Sequence, residues 1–227
     1  MFTHSSQPLL RLLQLVSPAL PVGAFSYSEG LETLVQAEKI TGAATLQPWL
    51  MQELQYGAVR VESAVLYQMY ECAKQQDLQQ LNNWNQWLSA FRETEELREQ
   101  SWQMGRSLAR LLIDLDPQFR EVLAEIKEPH HFVTAFSIAA VHWQIDAFSA
   151  VLGYLQSWSA NLVNAGVRLI PLGQTQGQKL LLDLYPAIES TAQDVIQSSA
   201  DSLFCCSWGL AIASMNHETL YSRLFRS

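Results

Sequence analysis

Few residues of this chain have the types and spacings that chemistry needs. His130 and His131 are adjacent imidazoles, and imidazole suits nickel or zinc. Two neighbours do not make a coordination sphere, and beside Pro129 they also read as a loop flank. Cys205 and Cys206 offer soft sulfur, yet in an uncharged stretch they read as small packing groups. His142 lies in an apolar run and reads as a hydrogen-bonded core histidine. Glu93, Glu95, Glu96 and Glu99 resemble the carboxylates of an acid–base site. Interleaved with Arg92 and Arg98 on a helix, they read instead as a solvated face with i,i+3 and i,i+4 pairs.

The longer motifs fail on spacing. Gly173 to Lys179 (GQTQGQK) lacks the GxxxxGK spacing of a phosphate-binding loop. His217-Glu218 has no second histidine to complete HExxH. Neither CxxC nor the GxSxG nucleophile elbow occurs. The expectation is a chain with no catalytic residues, no cofactor and no metal site of its own. It acts through its surfaces.

Composition narrows those surfaces. A formal net charge of −8 argues against nucleic acid, because phosphate binding needs clustered Lys and Arg. With 48% hydrophobic and 16% charged residues, the chain has the makings of a packed core. No apolar run reaches the length of a membrane span. The start lacks the charged and apolar regions of a signal peptide. Three sparse cysteines fit a reducing cytoplasm.

The elements that must position these surfaces are helices. Leu9, Leu10, Leu12, Leu13 and Val16 give a first helix an apolar face, which Pro18 ends. An elbow then runs through Pro18, Pro21 and Gly23, with Phe25 and Tyr27 making it unusually apolar. These two rings are expected to be buried in the fold or at an interface. Ser26 and Glu29 have capping-box spacing, which predicts a helix from about Tyr27 to Ala37. Thr45 is the expected cap of a long helix kinked at Gly57, and Asp77 caps the next, which carries Leu78 to Phe91.

Leu97, Ser101, Met104, Leu108, Leu111 and Leu115 form a coiled-coil-like seam after the charge cluster at 92–100. Asp116-Pro117 stops and restarts the chain, and a short helix runs to about Ile126. Residues 132–165 predict a buried helix pair, the central core, with Asp146 capping its second member. Gly166 is expected to break that helix before an extended connector through Arg168. Two more helices follow at about 174–184 and 186–198, then a tail from Asp201. With no polar linker, residues 1–227 read as a single domain, an all-α irregular bundle of about nine or ten helices.

Four ordered blocks resemble the UreF family of urease accessory proteins. They are LLQLVSPALPVGAFSYSEGLE at 12–32, FRETEELREQSWQMGRSLARLL at 91–112, NAGVRLIPLGQTQGQKLL at 164–181 and HETLYSRLFRS at 217–227. Ala24 departs from the PVGG pattern of the family, although Gly23 remains for the turn. The resemblance implies an all-helical, non-enzymatic homodimer. It implies binding to a UreD/UreH-type accessory protein, recruitment of the GTPase UreG, and nickel delivery to apo-urease. Glu32, in the SxGLE pattern, and Arg168, before the apolar-Pro-apolar-Gly-Gln segment, match positions associated in the family with the GTPase-facing function. Arg223, within YSRLF, and Arg226 are the expected cations of a partner-binding tail at about 201–227. The resemblance suggests that the tail is loosely held until the UreD/UreH-type partner binds. Two other readings stay open: a helical adaptor for another GTPase or assembly, and a helical enzyme with an unfamiliar site.

Overall fold

Apolar residues at 3–4 spacing, punctuated by capping residues, fold into eleven α-helices and one 3-10 turn among the described residues. The computed structural model describes residues 6–198, 203–205 and 207–227. Cys206, Asp201 and residues 1–5 lie outside them. The helices are α1 (Gln7–Leu15), α2 (Leu31–Gln36), α3 (Ala43–Tyr56), α4 (Ala58–Gln75), α5 (Leu78–Phe91) and α6 (Glu95–Leu115). Then come α7 (Phe119–Ala124), α8 (Phe132–His142), α9 (Ala147–Leu169), α10 (Gln174–Gln197) and α11 (Trp208–His217). The 3-10 turn, Ala24–Ser26, lies in the elbow. The all-α class expected from the sequence is the observed one.

Side-chain caps set several starts. Asp77 accepts from the Gln80 N–H at 3.0 Å, Thr94 from Leu97 at 3.3 Å and Asp146 from Ser149 at 2.9 Å. Each satisfies one of the orphan donors of a first helical turn. One contiguous core results. α8 is buried on nearly every face and packs chiefly on α4 and α6. The second central helix is therefore α4, whereas α9 turns one side to solvent and pairs with α10.

Several expected boundaries move, each for a physical reason. Gly57 separates two helices rather than kinking one, with ψ at −179°. Thr45 sits one turn inside α3, where its Oγ1 accepts from the N–H groups of Thr41 and Gly42. Gly166 does not end α9. A Cβ there would lie 2.5 Å from Leu46 Cδ2, so the glycine permits a close crossing and the helix runs on through Arg168. Pro186 lies inside a single α10 rather than between two helices. It is on the exposed face, where the Leu182 carbonyl it leaves unpaired can meet water. Along α6 the seam fades by the exposed Leu115, and Gly105 makes the closest approach, against the His130 carbonyl.

Candidate partner-binding site

The elbow forms no capping box at Ser26, and α2 begins later than expected, at Leu31. Glu29 turns its carboxylate inward instead. It accepts from Gln100 Nε2 and Trp158 Nε1, both at 2.9 Å. The backbone follows with positive φ at Glu29 and Gly30, and glycine takes the second of these at little cost. Tyr27 is buried, its hydroxyl donating to Gln103 Oε1 at 2.8 Å. Burial pushes the Tyr27 phenol up, against the pull of the Arg226 guanidinium. Phe25 differs from Tyr27: it is 67% exposed in this chain, so of the two places expected for its ring, the chain's own core is not the one it takes.

Glu32 is buried at the centre of the junction between elbow and tail. Its carboxylate accepts from the backbone N–H groups of Leu224 at 2.7 Å and Phe225 at 3.0 Å. It also meets His217 Nε2 at 3.2 Å. The other nitrogen of His217 faces Glu96, 3.0 Å from Oε2, and Arg223 reaches Oε1 of the same carboxylate at 3.3 Å. Ser28 donates through its N–H and its hydroxyl to the Ser227 carbonyl, at 2.6 and 2.7 Å. The described part of the tail is thus seated on the chain's own core, not loosely held. The cause is a long-range pairing: the Glu32 carboxylate meets backbone donors of the tail that no helix pairs, and Phe225 is buried beside them.

Arg168 lies in the last turn of α9, where the helix dipole favours a cation. Its Nη1 donates to the Phe25 carbonyl at 2.9 Å, and its guanidinium stands 4.4 Å from the centre of the Phe225 ring. It therefore touches elbow and tail together. Arg226 is exposed, with its backbone N–H on the Ser26 carbonyl at 2.8 Å. Among the six residues singled out in the sequence, Tyr27 and Glu32 are interior, while Phe25, Arg168, Arg223 and Arg226 are exposed. More apolar surface lies nearby. On α11, Trp208, Ile212 and Met215 are exposed at i, i+4, i+7 spacing, and Tyr221 follows them. On α1, Leu9, Leu10 and Leu13 are exposed as well. Exposed apolar faces of this kind mark interaction surfaces.

The candidate metal and acid–base residues have other occupations. His131 Nε2 accepts from Trp102 Nε1 at 3.0 Å, which leaves the proton on Nδ1 to donate to Ser101 Oγ at 2.9 Å. Burial, with Arg92 and Arg98 nearby, pulls its pKa down to about 3. His130 Nε2 lies 3.2 Å from two backbone carbonyls. His142 is half-buried and bonds Asp116 at 2.9 Å. That bond, and first of all the Gln118 N–H, hold the Asp116 carboxyl below its usual range. Among the described residues no three His, Cys, Asp or Glu converge to hold a metal. Glu32, His217 and Glu96 do meet, but the two carboxylates face opposite nitrogens of one ring.

Arg92 overturns its place on a solvated face. It is buried and ion-paired with the equally buried Glu62, which also accepts from the Tyr154 hydroxyl at 2.9 Å. Burial pushes the Glu62 carboxyl up, and Arg92 opposes it. The signal in the sequence is spacing. Glu62 falls three residues after Val59 and three before Val65, on the apolar face of its helix.

The comparisons with known proteins agree on one family. The UreF family model matches residues 40–185. The urease accessory protein UreF of Nostoc sp. (strain PCC 7120) is 53% identical over 225 residues, 99% of this chain and 98% of that protein. That of Microcystis aeruginosa is 56% identical over 219 residues, 96% and 97% of the two chains. The more distant UreF of Hahella chejuensis is still 39% identical over 219 residues, 96% of this chain and 98% of its own. With the family model matching residues 40–185 and relatives 39–56% identical over 96–99% of its length, this chain belongs to the UreF family.

Proposed function

We propose that this chain is a non-catalytic cytoplasmic adaptor in urease maturation. It works as a homodimer that joins a UreD/UreH-type protein, recruits the GTPase UreG and modulates GTP-dependent nickel delivery to apo-urease. Nickel is cargo in this reading. The observation that carries it is the junction of elbow and tail: Arg168 binds the Phe25 carbonyl and covers Phe225, so a partner touching one segment feels the other. Exposed rings at Phe25, Trp208 and Tyr221 supply apolar contact, and Arg223 and Arg226 supply cations able to pair with carboxylates.

An adaptor needs differential binding, not a catalytic triad. By binding one nucleotide state of UreG more tightly than the other, it shifts that switch by the difference in affinity. The test is reconstitution. Apo-urease, the UreD/UreH-type protein, UreG, nickel and GTP are combined with and without this chain. Urease activity that rises only with the chain present, together with a co-purifying complex, supports the reading. Equal activation without it sinks the adaptor role.

A further inference from the structure

A groove of about 860 Å³ lies between α2, the chain after it, α3 and α11. Trp49, Glu53 and Tyr56 fall at i, i+4 and i+7 on the face of α3 that lines it, so two rings flank one carboxylate. Ile212 and Ala213 supply apolar wall from α11. Trp49 is half-buried, and Tyr56 and Ile212 are each 57% exposed, so the groove is open to a visitor. Glu53, in contrast, is only 8% exposed. Its carboxylate lies over Gly57, whose missing Cβ leaves it room. The Ser207 hydroxyl accepts from the Ala58 N–H and donates to this carboxylate. No ion pair among the described residues involves Glu53.

A buried carboxylate calls for a cation. Burial first, then the Glu29 and Glu93 carboxylates, push the Glu53 carboxyl up to about 7, and the Ser207 hydroxyl opposes them. The Cys205 thiol, on the approach to α11, adds no positive charge. The other charged group on the groove wall, Lys39, precedes α3, whereas Glu53 lies in its last turn, about 15 Å along the axis at about 1.5 Å per residue. The field at the Glu53 end is therefore negative. Ser207 already takes part of the carboxylate, which suits the point charge of an ammonium better than the two-pronged fork of a guanidinium. Rings on either side favour the same charge. We propose that this groove docks a lysine side chain of a partner protein, with its ammonium on Glu53 between Trp49 and Tyr56 and its aliphatic stem along Ile212 and Ala213. This goes beyond the adaptor reading, and its test uses no urease component, so the two fail separately.

The probe is the peptide acetyl-Leu-Lys-Leu-amide. The reporter is the Trp49 indole N–H in nitrogen–proton NMR of the full chain, identified as the signal missing from Trp49→Phe. The peptide is expected to shift it saturably. Its norleucine counterpart keeps the stem without the charge and is expected to bind at most about a tenth as tightly, since a hydrogen bond to a charged group is worth at least about that factor. n-Butylamine, the same head and stem without a peptide, is expected to bind more weakly than the peptide. Glu53→Gln, shown to be folded by its melt, is expected to abolish the shift. Docking needs the carboxylate while the lysine stays charged, so the wild-type affinity is expected to fall about ten-fold from pH 8 to pH 6, whether or not the variant folds. No saturable shift, equal binding of the norleucine peptide, n-butylamine binding as tightly as the peptide, a shift that survives Glu53→Gln, or an affinity unchanged between pH 8 and pH 6 would overturn the proposal.

Discussion

Two buried polar clusters divide the molecule. One centres on Asn85 and His131, between α5, α6 and the chain entering α8. The other centres on Glu32 and joins elbow to tail. In the first, Asn85 donates to the Lys127 and Pro129 carbonyls at 3.0 and 3.1 Å. Its Oδ1 accepts from the His131 N–H at 3.1 Å and the Thr134 hydroxyl at 2.7 Å. The amide is satisfied by the loop between α7 and α8 and by the first turn of α8, and the imidazole by side chains of α5 and α6, all within one part of the core. Such a cluster rivets a core. The Glu32 cluster is also well bonded, but its partners come from the far end of the chain, and exposed rings surround it. Equal burial therefore has different meanings: one cluster fixes packing, the other fastens a seam that presents surface.

Cutting the seam should have the largest effect. Glu32→Ala leaves the buried Phe225 N–H, the part-buried Leu224 N–H and His217 Nε2 without this acceptor, and breaking a buried charged arrangement costs about 3–5 kcal/mol. The expected result is a lower Tm with hydrogen-exchange protection lost first over residues 217–227. Uniform loss across α8 instead would mean that the two clusters are not separable.

The rivet should respond to acid. His131 has a folded pKa of about 3 against an ordinary value of 6.5, so the unfolded chain takes up the proton first. Its contribution is fully present above pH 6.5 and is lost as pH falls toward 3, by up to about 1.4 kcal/mol per pH unit. Burial raises the Glu53 carboxyl to about 7 and also raises Glu62, which gives the opposite slope, so the check is a difference: denaturant melts from pH 7 to pH 4 of the wild-type chain and of His131→Gln should diverge by that amount.

Gly105→Ala sharpens the contrast by steric means. The new Cβ would stand 2.1 Å from the His130 carbonyl oxygen, so backbone must move, at about 1–3 kcal/mol. The Tm should fall while the tail keeps its protection. The smallest stability effect belongs to Phe25→Ala. With the ring 67% exposed, a change within about 0.5 kcal/mol is expected, far below the cost of truncating a buried ring. A clear fall in Tm would place Phe25 in the core after all.

The helices were legible where cap and period agreed, as at Asp77 and Asp146. Gly57, Gly166 and Pro186 were not, because the deciding neighbour is tertiary. Leu46 makes Gly166 a crossing point, and exposure lets Pro186 stay helical. In the site, local spacing suggested Ser26 as a cap, but Glu29 went to Gln100 and Trp158 instead. Glu32 reads locally as an exposed helix charge, since its acceptor role depends on Leu224 and Phe225, almost two hundred residues on. Arg168 was singled out through the family pattern alone. The sequence does not say that its guanidinium bridges two distant segments.

The central claim is that the junction of elbow and tail, not the riveted core, is where partners dock. It is tested most directly by titrating the UreD/UreH-type protein and UreG into the wild-type chain, the Phe25→Ala/Arg168→Ala double variant and Gly105→Ala, with Tm measured in parallel. The account predicts that the double variant keeps its fold and loses assembly affinity by about ten-fold or more, equivalent to about 1.4 kcal/mol. Gly105→Ala should lower Tm and retain affinity at a temperature where it is folded. Unchanged affinity in the folded double variant would contradict the account.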